Sequence, residues 1–449
     1  MIQEFAAGTK SFLVLREAFL DGSADPRELL EVYLERIADR DKSIGAFVTL
    51  AVDQARQSAD AATKRYRSGR PASLVDGLPV GLKDNLETRD MPTGFGSPLF
   101  TGWCGGRDSA AAYALRRAGA VIVGKLTTTE FAGSVVTAAT RNPHDLSRTP
   151  GGSSSGPAAA VASGMLPVAL GTQVIGSIIR PASFCGVFGF KPTYGSLNRA
   201  ASGDIYSQNC IGTLSSRLES AYLVCHAIAE FVGGDPGYLP FQGGPFVSPA
   251  IRPRALAILE TAGWASADSA AKDQFEIAIG RLSAAGVRFL TRRTSALVAY
   301  LEEIIRDARE VARQICAYEA VWPYGEISER DPANFSSAMQ ERIDTAARMS
   351  REDYAQLLLR RDQMSAAYAM LASEIDAYVT LSALGAAPVG LSSSGDPAFA
   401  VPFTTIRAPS LSLPLLTVDG LPLGLQIAGF AHREQVLSGV ATYIADVLH

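Results

Sequence analysis

Three scarcities in this chain each remove a class of function. Charge of one sign is the first: 45 acidic against 41 basic residues leave a formal net charge of −4. With no basic patch carrying interleaved aromatics, no nucleic-acid partner is expected. Long apolar runs are the second. Hydrophobic residues make up 47% of the chain, yet no run reaches the roughly 20 residues that span a bilayer. Met1 to Lys10 carries Glu4 and lacks an extended apolar segment, so no signal peptide is read there and a cytoplasmic protein without a membrane partner is expected. Cysteine is the third. Cys104, Cys185, Cys210, Cys225 and Cys316 are odd in number and do not have metal-ligand spacing; they read as reduced thiols, with no metal site.

At 449 residues the chain can bury a large core. Asp25-Pro26 opens a helix with Leu29, Leu30, Tyr33, Leu34 and Ile37 on one face. Ser109 caps another that ends at Ala118-Gly119, and Val121-Ile122-Val123 reads as a buried strand. Strands alternating with helices predict an α/β chain with helices on both faces of one large sheet. Residues 234–250, rich in Gly and Pro, read as an irregular connection, and 266–375 as mostly helical without catalytic motifs. Leu381 to Gly395 is a small-residue loop that could border a pocket.

The most informative stretch runs from Thr149 to Pro192. A Gly-Gly-Ser-Ser-Ser-Gly loop (Gly151 to Gly156) precedes Gly171-Thr172-Gln173-Val174-Ile175-Gly176-Ser177 by one short apolar helix and one strand. That arrangement holds two serine-bearing loops side by side. Upstream, Lys83 follows Leu78-Pro79-Val80, an apolar segment that reads as a strand entering the core. A serine hydroxyl is a poor nucleophile until a base removes its proton. Lysine can be that base only when neutral; its free ammonium titrates near ~10.4, and burial among apolar groups such as Val80, Leu82 and Leu86 disfavours the charge.

Two other readings use the same residues. Gly152 to Gly156 also satisfies the Gly-x-Ser-x-Gly nucleophile elbow, which would make Ser154 the nucleophile and require a downstream histidine. Of the three downstream, His226 falls in an apolar helical run and His449 is terminal, leaving His432. A Gly-Ser loop before a helix can also bind phosphate, but the Gly-Lys-Ser/Thr ending of a P-loop is absent.

These segments resemble the amidase signature family, as do Phe184 to Thr193 and Gly420 to Gln426. The resemblance covers nearly the whole chain. It implies an α/β fold with a large central mixed β-sheet flanked by helices on both faces. It further implies one domain over 1–449, with a catalytic core at 70–230, a variable, mostly helical cover at 234–375 and a C-terminal part at 376–449 that returns to the core sheet. By position, the family's Ser-Ser-Lys triad falls on Lys83 as base, Ser153 as the bridging serine after a cis peptide, and Ser177 as nucleophile. The amides of Val174, Ile175, Gly176 and Ser177 fall on the oxyanion hole. Ala132 and Arg180 fall on substrate-binding positions, and Ser154 and Thr172 on supporting ones. The activity implied is hydrolysis of a C–N bond in a small amide or carbamate through an acyl-enzyme. The resemblance calls for no cofactor and allows a homodimer. One component of a tRNA-dependent amidotransferase, which shares the triad but needs a partner protein, is the alternative; a catalytically silent binding protein on the same fold is another.

Departures from the family pattern carry information. Gln173 replaces the usual acid and Ile175 the first of two glycines. A β-branched residue disfavours positive φ, so the loop at Ile175 is expected in an ordinary backbone region. Arg180 stands one position beyond the usual arginine, and Asn209 replaces an aspartate. Together with Met91-Pro92-Thr93 and Thr127-Thr128-Thr129, the run resembles the malonamidase-like branch. In that branch the arginine binds a substrate carboxylate; a structural role for Arg180 is equally open. Ile175, Ile178 and Ile179 favour a neutral, apolar substrate.

Overall fold

Alternation along each strand sends neighbouring side chains to opposite faces of a sheet, and here the two faces are covered by different helices. The computed structural model of the chain describes residues 1–6, 8, 10–133, 139–203 and 206–449. Its strands are β1 (Phe47–Leu50), β2 (Pro79–Lys83), β3 (Val121–Leu126), β4 (Val168–Gln173), β5 (Phe188–Lys191), β6 (Cys210–Ser215), β7 (Leu256–Ile258), β8 (Phe289–Leu290), β9 (Ala377–Leu381), β10 (Ser410–Val418) and β11 (Leu421–Ala428). They form one 11-stranded sheet in the order β1-β3-β2-β4-β6-β5-β10-β11-β9-β7-β8. The sheet is mixed: β3, β2 and β4 are parallel neighbours, β4 through β9 run antiparallel, and β9, β7 and β8 are parallel again.

Val168 and Leu170 of β4 enter a core with the helices Ala110–Arg117, Leu218–Val232 and Glu434–Leu448. Between them, Ala169 points to a second core with Pro26–Ile44 and Ser155–Ala162. Further along, Ala377, Val379 and Leu381 of β9 share the first core, while Tyr378 meets the helix Arg351–Ala369 in a third. Helices on both faces of one mixed sheet are therefore what the α/β reading anticipated. The helix Pro26–Ile44 starts at Asp25 with a capping box to Glu28, and Ser109 caps Ala110–Arg117 as its position predicts.

Parallel strands that run through the middle of a sheet are buried on both faces, and β2 and β4 are buried at every residue. Both end on polar residues, Lys83 and Gln173. Strand ends of α/β sheets are where such groups can face a crevice. The helices Ala308–Arg330 and Ser337–Ala346 lie over that end and contribute side chains to one cavity with the 393–397 segment.

Candidate active site

Lys83 is the last residue of β2 and has no solvent exposure. Its Nζ lies 2.7 Å from Ser153 Oγ and 2.7 Å from Thr172 Oγ1. Thr172, on β4 beside β2, also accepts from Asn85 Nδ2 at 3.0 Å. The neighbouring strands thus bring a lysine, a threonine and an asparagine to one point below the serine loop. The Gly152–Ser153 peptide bond is cis, as the resemblance implies. Gly151 has φ +80, and a Cβ there would sit 2.9 Å from Pro181 Cα, so only glycine lets the serine loop lie this close to the helix Ile179–Cys185.

Ser177 follows β4 by a short loop, and Ser153, Ser177, Val174 and Ile175 line the same cavity of about 410 Å³. Gln173 organises the loop: its Oε1 accepts from the amides of Ile178 at 2.8 Å and Ile179 at 3.0 Å, while its Nε2 donates to Thr404 Oγ1 at 2.8 Å. Those two amides are consumed. Among the described residues, no side chain accepts from the amides of Val174 to Ser177, and residues 174–177 all lie outside positive φ, as the β-branch at Ile175 predicts. Gly176 is required for space, since a Cβ would meet Pro397 Cβ at 2.7 Å. Ser154 is fully buried, does not line the cavity, and donates to Thr172 O at 3.3 Å. A nucleophile elbow needs an exposed hydroxyl, so this placement removes the support for that reading.

Ala132 lines the cavity with φ +52, beside Gly133. Arg180 also reaches it, but its guanidinium is spent on the protein: Nη2 donates to Gly152 O at 2.6 Å and to Ser394 Oγ at 3.0 Å, and Nη1 to Gly395 O at 2.8 Å. Burial, the main influence, pushes Arg180 down from 12.5 to about 10, so the group remains cationic at neutral pH. One arginine thereby ties the cis peptide's glycine to the 393–397 segment.

The expectation that all three isoleucines surround the site is corrected. Ile178 and Ile179 have no solvent exposure and turn into the protein; Ile175 alone of the three lines the cavity. The helices Ala308–Arg330 and Ser337–Ala346 bring the cations Arg309, Arg313 and Arg342 to it, with Cys316 of an apolar cluster beside them. Sequence reasoning missed these residues because 266–375 carries no motif, although Arg309 and Arg313 stand one helical turn apart and so share a face. Asn209 is buried, with its amide donating to Tyr206 O; residues 204–205 of the neighbouring segment lie outside the described residues. Among the described residues no group of three or more His, Cys, Asp or Glu side chains is placed to hold a metal ion, and no helix is long and apolar enough to cross a membrane.

Comparison with known proteins matches the Amidase family over residues 28–437. The A-type chain of the glutamyl-tRNA(Gln) amidotransferase of Cyanothece sp. (strain PCC 7425 / ATCC 29141) is 31% identical, with 95% of each chain covered. Its counterpart from Anaeromyxobacter sp. (strain K) is 44% identical over 215 residues, which span 46% of this chain and 43% of that relative, less than half its length. A solved structure described as a vestigial protein complex bearing on the origins of an s-triazine catabolic enzyme superposes with a TM-score of 0.85 at 24% identity, covering 97% of this chain and 98% of the other.

Proposed function

Because the chain belongs to the amidase family, we propose that it is a serine hydrolase that cleaves the C–N bond of a small amide or carbamate with Lys83, Ser153 and Ser177. The observation that carries this reading is the buried Lys83 Nζ, 2.7 Å from Ser153 Oγ, with Ser153 and Ser177 opening into one cavity. Ser177 Oγ attacks the carbonyl carbon, its proton passes to Ser153, and the Ser153 proton passes to the neutral Lys83 amine. Negative charge then collects on the carbonyl oxygen, where the amides of Val174 to Ser177 receive it; one such donor is typically worth ~3 kcal/mol of barrier. As the C–N bond breaks, Ser153 returns a proton to the departing amine. Water then attacks the Ser177 ester by the same relay and releases the acid. Thr172 Oγ1, which accepts from both Lys83 and Asn85, holds Lys83 in place.

Gln173, with Met91-Pro92-Thr93 and Thr127-Thr128-Thr129, supports the malonamidase-like branch of the family. The test is labelling of Ser177 by a fluorophosphonate, together with release of amine or ammonia from a panel of amides and carbamates. A protein that neither labels nor turns over any of them is a silent binder.

A second reading rests on the curated relatives, which carry the name of one component of a glutamyl-tRNA(Gln) amidotransferase. In that reading the chain works as one component of an enzyme that transfers an amide nitrogen to glutamyl-tRNA(Gln), and it needs a partner protein. Copurification of a tightly held second chain, with amide hydrolysis that depends on it, favours this alternative; full activity of the isolated chain on small amides favours the first.

A further inference from the structure

Among the described residues, the guanidinium groups lining the cavity outnumber the lining carboxylates. Four guanidinium groups line it, from Arg180, Arg309, Arg313 and Arg342, beside one lining carboxylate, Asp396. Two of the four are matched. Arg309 Nη1 lies 2.9 Å from Asp396 Oδ2, and Arg313 Nη2 lies 2.7 Å from Glu310 Oε1. Among the described residues, Arg180 is bonded to neutral oxygens alone, those of the serine loop and the 394–395 segment. Arg342, on the helix Ser337–Ala346, also has only neutral partners: Nη2 donates to Gly133 O at 2.9 Å and Nη1 to Tyr206 Oη at 3.3 Å. Among the described residues no carboxylate pairs with it.

Arg180 and Arg342 differ in what they can still offer. Arg180 is fully buried and its two terminal nitrogens are taken up by loop oxygens. Arg342 is half-buried and uses two of the five donors a guanidinium carries. It stands at the edge of an apolar cluster that contains Phe131, Val174, Tyr206, Cys316 and Met339. In such surroundings an anion brought to the guanidinium is held more strongly than in water. Gly133 permits the approach, because a Cβ there would sit 2.7 Å from Arg342 Nη1.

We propose that Arg342 is the specificity-determining residue of this site, receiving a carboxylate on the substrate, so that the substrate is an amide bearing a second, anionic end. The proposal deepens the hydrolase reading and rests on it. The hydrocarbon beside Arg342 suits a methylene spacer, and among the described residues the pairing of Arg309 and Arg313 and the anchoring of Arg180 leave Arg342 as the cation that a substrate carboxylate neutralises.

The test compares monoamides of four- to six-carbon dicarboxylic acids with the matched diamides, on wild type, Arg342→Leu and Arg342→Lys, with a melting temperature for each. Wild type is expected to prefer an acid monoamide. Arg342→Leu should raise KM for it by about 30- to 100-fold, the worth of a charge-assisted pair, with kcat and the diamide rates changed less than about 3-fold. Arg342→Lys should recover part of the loss, because it keeps the charge but not the fork. Equal losses on monoamide and diamide, or a wild type indifferent to the carboxylate, overturn the proposal. If Arg342→Leu does not fold, Arg342→Lys decides, since a merely structural role predicts no split between the two substrates. Where wild type labels with fluorophosphonate but cleaves no amide in the panel, protection by glutarate decides: slower labelling of wild type but not of the Arg342 variants supports the proposal, and identical protection refutes it. No labelling of Ser177 removes the hydrolase reading, and this proposal with it.

Discussion

Arg180→Met separates anchoring from substrate recognition, because methionine keeps an unbranched stem and loses every donor. Arg180 is 4% exposed and holds three acceptors, Gly152 O, Gly395 O and Ser394 Oγ. Stranding a buried acceptor costs about 2 kcal/mol, so the three together stand to cost ~6 kcal/mol. Against this, burial has pushed the guanidinium from 12.5 to about 10, a desolvation penalty of ~3 kcal/mol at about 1.4 kcal/mol per pH unit. Methionine recovers that penalty, leaving a net destabilisation of ~3 kcal/mol. With an unfolding entropy of about 2.1 cal/mol/K per residue over 449 residues, a chain that unfolds as one unit should lose about 3 °C in Tm. Since Gly152 O belongs to the loop that aims Ser153, kcat/KM should fall on the order of 10-fold or more, by the same factor for an acid monoamide and its diamide. Differential scanning calorimetry and steady-state kinetics on both substrates check the two halves. An unchanged Tm with a loss confined to the acid monoamide would refute the anchoring argument and restore Arg180 as the carboxylate receptor.

Other outcomes follow from the same geometry. Ser177→Ala should abolish turnover without changing Tm by more than a degree or two, while Ser154→Ala, altering a buried bond to Thr172 O, should keep measurable activity; the reverse pattern would reinstate the nucleophile elbow. Because Lys83 accepts a proton only as a neutral amine, kcat/KM should decline as pH falls, and EDTA should leave the rate unchanged; a rate that rises toward acid would contradict a lysine base. Asp84→Asn strands the buried Lys125, whose Nζ lies 3.0 Å from Asp84 Oδ1, and should cost about 3–5 kcal/mol at neutral pH by urea denaturation. Burial holds the Lys125 ammonium below its ordinary value of 10.5, so the folded state binds this proton less tightly than the unfolded chain. Losing Asp84 lowers that value further, so the Asp84→Asn deficit should shrink as pH rises from the variant's value to the wild-type one, both below 10.5, and a deficit flat between pH 7 and 10 would show that Lys125 is not the source.

The serine loops, the lysine at the end of a buried strand and the alternation of helices with strands were legible in the residues themselves. Each is a local rule: period-2 and period-3.6 burial, a capping residue before a helix, glycine where a loop must pass close to a helix. Ile175 shows how far such rules reach, because a β-branch alone was enough to place its backbone outside positive φ. What lines the cavity was not legible in this way. Ile178 and Ile179 neighbour the serine in sequence, yet the turn after β4 swings them into the core and Gln173 fastens their amides there. Arg342 is 165 positions beyond Ser177, on a helix whose sequence looks like any solvated one, and it reaches the cavity only because that helix packs over the end of the sheet. Arg180 could equally have been a ligand contact until tertiary packing brought the Gly152 and Gly395 carbonyls and the Ser394 hydroxyl within reach of its guanidinium. Local chemistry determines which residues can perform a step; packing between segments distant in the chain decides which of them face the substrate, because burial and partner choice depend on surfaces that no single segment contains.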